Sequence, residues 1–191
     1  MDSHYRFALT PLLNKRLAYL RASVQATAQH NADNYFMQQA LQVAMDGAKL
    51  GEVPVGAVIV YQQQIIATGY NCPIATKDST AHAEMVAIRS ACQHFANYRL
   101  PQGCTLYVTL EPCTMCLGAI IHARVSRLVF GAYEPKAGVV LSQEALWQKC
   151  YFNHQLAVTG GVQSSACATV LRQFFQDRRA SKRKLSGYIK G

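Results

Sequence analysis

At 191 residues, 50% hydrophobic and 15% charged, the chain is long enough to bury a sizeable single core and too apolar to be disordered by composition. Nineteen Lys and Arg against ten Asp and Glu leave a net charge of +9, which would attract a polyanion such as nucleic acid and says nothing of fold. The seven cysteines (Cys72, Cys92, Cys104, Cys113, Cys116, Cys150 and Cys167) lack the spacing of a small disulfide framework and point to a reducing compartment, read as cytoplasm; no apolar run is long enough to predict a membrane span.

In residues 1–32, Arg6, Lys15, Arg16 and Arg21 stand against one acid, Asp2, and Leu13, Leu17, Leu20 and Val24 recur at the 4-3-4 spacing of a short amphipathic helix. Such composition also fits an organelle transit peptide, but Lys15, Arg16 and Arg21 break any secretory-type apolar core. A packed helical extension, or a translation start set upstream, is the better reading. From Asp33 onward, Phe36, Met37, Ala40, Leu41, Ala44 and Ala48 share one face, predicting a core helix that Gly51 stops. Residues 55–61 and 64–68 are β-branched runs divided by Gln62 and Gln63, as in an antiparallel hairpin. Residues 71–79 read as a loop, and Thr80 as the N-cap of a helix carrying Met85, Ala87, Ile88 and Cys92. An apolar strand over 104–110 feeds a helix headed by Pro112. A strand over 127–131 precedes an irregular segment, 133–140, marked by Pro135 and Gly138. A weakly patterned helix near 143–149, a strand around 156–159 and a long helix over 164–179 complete the chain. The alternation predicts an α/β domain with one sheet covered on both faces.

The chemistry concentrates in two stretches. Cys113 and Cys116 are three positions apart just after Pro112, so both thiols are expected on one face of a helix N-terminus, whose dipole favours thiolate. Upstream, His82 offers a ring nitrogen and Glu84, two residues on, a carboxylate. A C-x-x-C pair alone also fits structural zinc or a redox couple. The intervening chain has room for one helix and a returning strand, which could set two helix N-termini side by side. Three evident ligands, His82, Cys113 and Cys116, leave the fourth zinc position for water, the mark of a catalytic rather than a closed site. Glu84, a non-ligand, is then the candidate general base and acid; its plainer reading is a first-turn carboxylate favoured by the helix dipole. The other cysteines show no spacing that suggests a second metal.

Glu52-Val53-Pro54-Val55-Gly56-Ala57, Gly69-Tyr70-Asn71, His82-Ala83-Glu84, Leu106-Tyr107-Val108-Thr109-Leu110-Glu111-Pro112-Cys113 and Phe130-Gly131-Ala132 together resemble the bacterial tRNA-specific adenosine deaminases, within the zinc-dependent cytidine deaminase-like superfamily. The likeness runs from about residue 33 to 179. It implies a cytidine deaminase-like fold, a three-layer α/β/α sandwich around a mixed five-stranded sheet, with one Zn2+ per subunit and usually a homodimer. It also implies hydrolytic conversion of a wobble adenosine to inosine in the tRNA anticodon stem-loop. In domain terms, residues 1–32 are a basic helical extension without an assigned role, 33–180 the deaminase domain and 181–191 a basic tail.

The resemblance further suggests substrate contacts. Asn71 would bond the flipped base or its ribose, its alternative being a turn asparagine. Asn153 and His154 match a family pair near the anticodon loop. Glu134 stands where the family usually has an Asp, so a ribose contact there carries an extra methylene and a neighbouring Pro135; Ser79 likewise replaces the usual Pro before the His-Ala-Glu run. Phe174 and Phe175 could stack on bases or pack in the core. Arg178 and Arg179 belong to a tail in which seven cations from Arg172 onward face one acid, Asp177, a cluster suited to phosphates or to a solvated helix end. A deaminase of free nucleosides, bases or nucleotides would not need this tail. A non-catalytic zinc-stabilised RNA-binding module would not need Glu84.

Overall fold

A computed structural model describes residues 4–143, 145–149 and 152–188, with side chains between residues 13 and 183. Asp2 and Cys150, named above, and residues 189–191 of the basic tail lie outside these residues. The chain forms two compact units, Met1–Tyr35 and Phe36–Gly191. The two helices expected near the N-terminus are one continuous helix, α1 (His4–Lys49), because residues 25–32 contain neither Gly nor Pro to interrupt it. In the first unit Leu13, Leu17, Leu20 and Val24 are exposed.

The second unit is built on a five-stranded sheet in the order β2-β1-β3-β4-β5: β1 (Gly56–Tyr61), β2 (Gln64–Tyr70), β3 (Thr105–Leu110), β4 (Arg127–Ala132) and β5 (Ala157–Gly160). β1 is antiparallel to both β2 and β3, whereas β3, β4 and β5 run parallel. The predicted hairpin turns on Gln62 and Gln63 with φ of 50° and 62°, the left-handed pair that matches strand twist in a two-residue turn. Between the strands lie α2 (Pro73–Thr76), α3 (Ala83–His94) and α4 (Thr114–His122), and α5 (Ser164–Tyr188) ends the described chain. α2 occupies the segment expected as loop. The helix expected near 143–149 is only a short 3-10 turn, Leu146–Gln148. α5 continues past the predicted end at 179 because its polar sequence holds no breaker before Gly187.

Strand alternation decides which helices cover which face. Ala57, Ile59, Leu106, Val108, Leu128 and Phe130 join one cluster with Ala83, Ala87 and Ile88 of α3 and Leu117 and Ile120 of α4. Their neighbours in sequence turn the other way. Tyr107 meets Phe36 of α1 with ring centroids 5.3 Å apart. Gly56 lies so close to α1 that an added Cβ would stand 2.2 Å from the Ala40 carbonyl oxygen, and a Cβ on Gly131 would meet Cys167 Sγ of α5. The sheet is thus covered by α3 and α4 on one face and by α5 and residues 36–49 of α1 on the other. Fully burying one Leu or Phe contributes about 1.5–3 kcal/mol, so the Leu106, Leu117, Leu128 and Phe130 layer is what seats α4 on the sheet. α4 is the crossover from β3 to β4, and its N-terminus opens at the carboxyl ends of these parallel strands, where open α/β sheets build their sites.

Candidate active site

β3 ends at Leu110, Glu111 N donates to Ala132 O, and Pro112 then turns the chain into α4. Cys113 is not inside the helix, as its spacing after Pro112 suggested, but is its N-cap, with φ −79° and ψ 174°. Cys116 follows in the first turn and is wholly buried. The neighbouring helix is capped in the same way: His82, at φ −73° and ψ 156°, is the N-cap of α3. Thr80, the expected cap, instead donates both its amide and its hydroxyl to Asp78 Oδ1. The sheet thereby sets two helix N-termini side by side, each ending in a ligand-type side chain.

His82 Nδ1 lies 3.9 Å from Cys113 Sγ and 3.6 Å from Cys116 Sγ, and the three donor atoms fall within 4.8 Å of one another. Tetrahedral zinc with Zn–N of about 2.0 Å and Zn–S of about 2.3 Å requires nitrogen and sulfur about 3.5 Å apart, so the cluster fits the ion by its own dimensions. Among the described residues no second such cluster occurs. Burial pushes the Cys104 and Cys167 thiols up to about 11, which suits inert packing roles.

Without metal the two ligand thiols share a proton. The Cys116 hydrogen bond holds Cys113 down to about 5, against the opposing effect of burial, with the Cys116 and Met115 amides and His82 also favouring thiolate. Cys116, the donor in that pair and more deeply buried, is pushed well up. Glu84 is 4% exposed, and burial drives its carboxyl up to about 7; nearby Cys113 adds to the rise, while its own amide and His82 oppose it. A buried carboxyl that titrates near neutrality beside a metal cluster is equipped to take up a proton and to return it.

The other sequence candidates divide by location. Asn71 sits at the site: its Oδ1 accepts from Ala83 N at 2.8 Å, at the head of α3. Glu134 lies on the loop after β4, its Oε1 accepting from Lys136 N at 3.0 Å. Asn153 and His154 are not brought to the metal cluster. Asn153 O accepts from Arg124, and His154 Nε2 lies 2.6 Å from Val125 O, at the amino end of β4 and so at the opposite end of the strands from Cys113. Phe174 and Phe175 meet edge to face at 5.6 Å, and the Arg178 guanidinium lies 5.6 Å from the Phe174 ring centre. With Met45, Lys49, Arg179 and Lys182 they line a groove of about 1210 Å³ that includes none of the cluster residues.

The residues alone assign no role to two carboxylates that the fold buries, Glu52 and Glu111. Glu52, 1% exposed, accepts from Ala75 N at 2.8 Å and Ile74 N at 3.4 Å, fixing the segment that leads toward His82. Glu111, 3% exposed, accepts from the loop after β4. Their signal in the sequence is an acid set inside an otherwise apolar run.

A layered α/β sheet bearing a His-Cys-Cys cluster with a buried glutamate beside it defines the class of zinc-dependent deaminases. The model of the cytidine and deoxycytidylate deaminase zinc-binding region matches residues 30–132. The tRNA-specific adenosine deaminase of Haemophilus influenzae is 46% identical over 83% of this chain and 91% of its own length; that of Bacillus subtilis is 43% identical over 79% and 93%. A solved structure from work on A-to-I editing by tRNA:A34 deaminases at the wobble position superposes with a TM-score of 0.69 at 43% identity, covering 72% of this chain and 99% of its own. The chain belongs to the cytidine and deoxycytidylate deaminase family, on its tRNA-specific adenosine deaminase branch. Among the described residues no helix is long and apolar enough to cross a membrane.

Proposed function

We propose that this chain hydrolytically deaminates adenosine to inosine at the wobble position of a tRNA anticodon loop, in the cytoplasm and as a homodimer with one zinc per subunit. The observation that carries the reading is Glu84, buried and raised to about 7 beside the His82, Cys113 and Cys116 cluster. Relatives of 43–46% identity named tRNA-specific adenosine deaminases support the substrate. The basic α5 end supports an RNA partner through phosphate contacts from Arg178, Arg179, Lys182 and Arg183.

His82, Cys113 and Cys116 hold zinc, which when bound supplies Lewis-acid activation of water at neutral pH. Glu84 would accept the proton that water gives up and deliver it to ring N1 as oxygen bonds to C6, then take the proton of the new C6 hydroxyl and pass it to the departing amine as the C6 carbonyl forms, so adenosine and water become inosine and ammonia. Asn71, oriented by the Ala83 amide, positions the base or its ribose. The adenosine must leave the loop stack to reach this pocket, which a single-stranded anticodon loop permits at small cost. Residues 33–180 serve as the deaminase domain, and 181–191 as a basic tail for RNA.

Incubating zinc-loaded protein with an anticodon stem-loop carrying a wobble adenosine, beside free adenosine, cytidine and guanine, tests this. Inosine should form in the stem-loop alone. Efficient turnover of a free base or nucleoside with an untouched stem-loop would assign the site to small molecules.

A further inference from the structure

The residue just before Pro112-Cys113 is a buried carboxylate that the proposed chemistry leaves unused. Glu111 Oε1 accepts from the amides of Val140, Leu141 and Ser142 at 3.0, 2.6 and 2.8 Å. Its Oε2 accepts from Glu134 N at 3.1 Å and from the Ser142 hydroxyl. Five donors from both ends of one loop therefore converge on one side chain. The loop folds tightly around it: Gly138 N donates to Glu134 O at 2.9 Å, Val139 N donates to Pro112 O at 3.2 Å, and a Cβ on Gly138 would stand 2.6 Å from the Glu111 carboxyl. Only glycine lets the backbone close over the carboxylate there.

We propose that Glu111 is a positioning residue for RNA: by clamping residues 134–142 against the start of the cysteine helix, it pre-forms one wall of the substrate site. The inference rests on the RNA-deaminase reading. The clamped loop begins one residue beyond Tyr133, which is half exposed and braced edge-on by Phe130 at a centroid distance of 5.2 Å. It also carries Glu134 and the exposed Lys136. Loop backbone has no sheet partner to hold it, so its course depends on the acceptor it surrounds. A carboxylate suits this task because all of its lone pairs accept, whereas a neutral amide of the same shape would turn two N–H donors toward N–H donors.

Glu111→Gln tests the clamp. With the loop in its productive course only about a tenth of the time, apparent affinity for RNA falls about tenfold while turnover at saturation is retained. The expected result is therefore a KM for the stem-loop raised about tenfold, kcat within about twofold, unchanged zinc content and faster hydrogen exchange at the Val140, Leu141 and Ser142 amides. Ser142→Ala removes a single donor and should shift KM and exchange in the same direction by a smaller factor, which keeps the test open if Glu111→Gln folds poorly. Unchanged exchange in both variants, faster exchange with unchanged KM, or zinc and kcat lost together would each overturn the proposal. Exchange also decides the clamp separately from activity: a wild type that leaves the stem-loop untouched would sink the functional reading instead.

Discussion

Replacing Glu84 by Gln should sharply reduce turnover and stabilise the metal-free protein, and the second effect carries a pH signature that follows from the site. The Glu84 carboxyl lies at about 7 in the fold against an ordinary 4.5, chiefly because burial disfavours its charged form. A raised folded value means that the stabilising contribution is complete below 4.5, where the group is protonated in both states, and is lost as pH rises toward 7, since the unfolded chain ionises first. The difference of about 2.5 units corresponds to a loss of about 3 kcal/mol at pH 7, with little further change above it. Gln has the same shape and no charge to strand. Urea unfolding of chelator-treated wild type and Glu84→Gln, run from pH 4.5 to 8, should show curves that coincide at the acid end and diverge by about 3 kcal/mol at neutrality. In the zinc-loaded forms metal content should match while kcat falls by about 10²–10⁴, the range that one general acid–base group supplies. A stability gap independent of pH would refute the desolvated carboxylate, and substantial residual deamination would remove Glu84 from the proton path.

Zinc affinity should fall about tenfold per unit as pH drops from 8 to 6, measured by chelator competition, because Cys113 is already thiolate above about 5 while Cys116 must surrender one proton to bind. Truncation after Asp177 removes Arg178, Arg179, Lys182, Arg183, Lys184 and Lys190; binding to the stem-loop across a salt series should weaken, with the log-log slope reduced by about 0.7 for each lost phosphate contact. Equal slopes would identify the tail as a solvated helix end. Gly69→Ala should cost about 1–3 kcal/mol by thermal melting and lower zinc occupancy together, since its Cβ would stand 2.4 Å from the Ala83 carbonyl oxygen.

The hairpin, the three later strands and the two ligand stretches were legible because each depends on local pattern: β-branched or apolar runs, a two-residue break, and ligand types at fixed spacing. Helix starts were less so. Thr80 and Pro112 are good capping and first-turn residues by propensity, yet the helices begin at His82 and Cys113, because sheet packing rather than propensity decides where α3 and α4 leave the strand edge. The role of Glu111 depends on a loop 23 to 31 residues away in sequence, and no window along the chain contains both partners. Asn153 and His154 match a family pair in sequence, and only the fold shows that the His154 ring lies 2.6 Å from Val125 O, at the amino end of β4.

The Gly69-Tyr70-Asn71 stretch can be read as a substrate motif, but its first task is to position a metal ligand. Gly69 has no side chain, so the first turn of α3 lies directly on β2, where an added Cβ would stand 2.4 and 2.6 Å from the Ala83 carbonyl oxygen and the Ala87 amide nitrogen. Asn71 then takes up the Ala83 amide, an N-terminal donor with no partner inside the helix, and so fixes the residue immediately after His82. On the other side, Leu117 and Ile120 seat α4 against the same layer and thereby set Cys113 and Cys116. Ligand separations of 3.6 and 3.9 Å are therefore inherited from two packing contacts made elsewhere in the sheet. It follows that substitutions which shift α3 or α4 should change zinc affinity without touching a ligand, and that loss of activity at Asn71 has to be separated from loss of metal before it is assigned to the base.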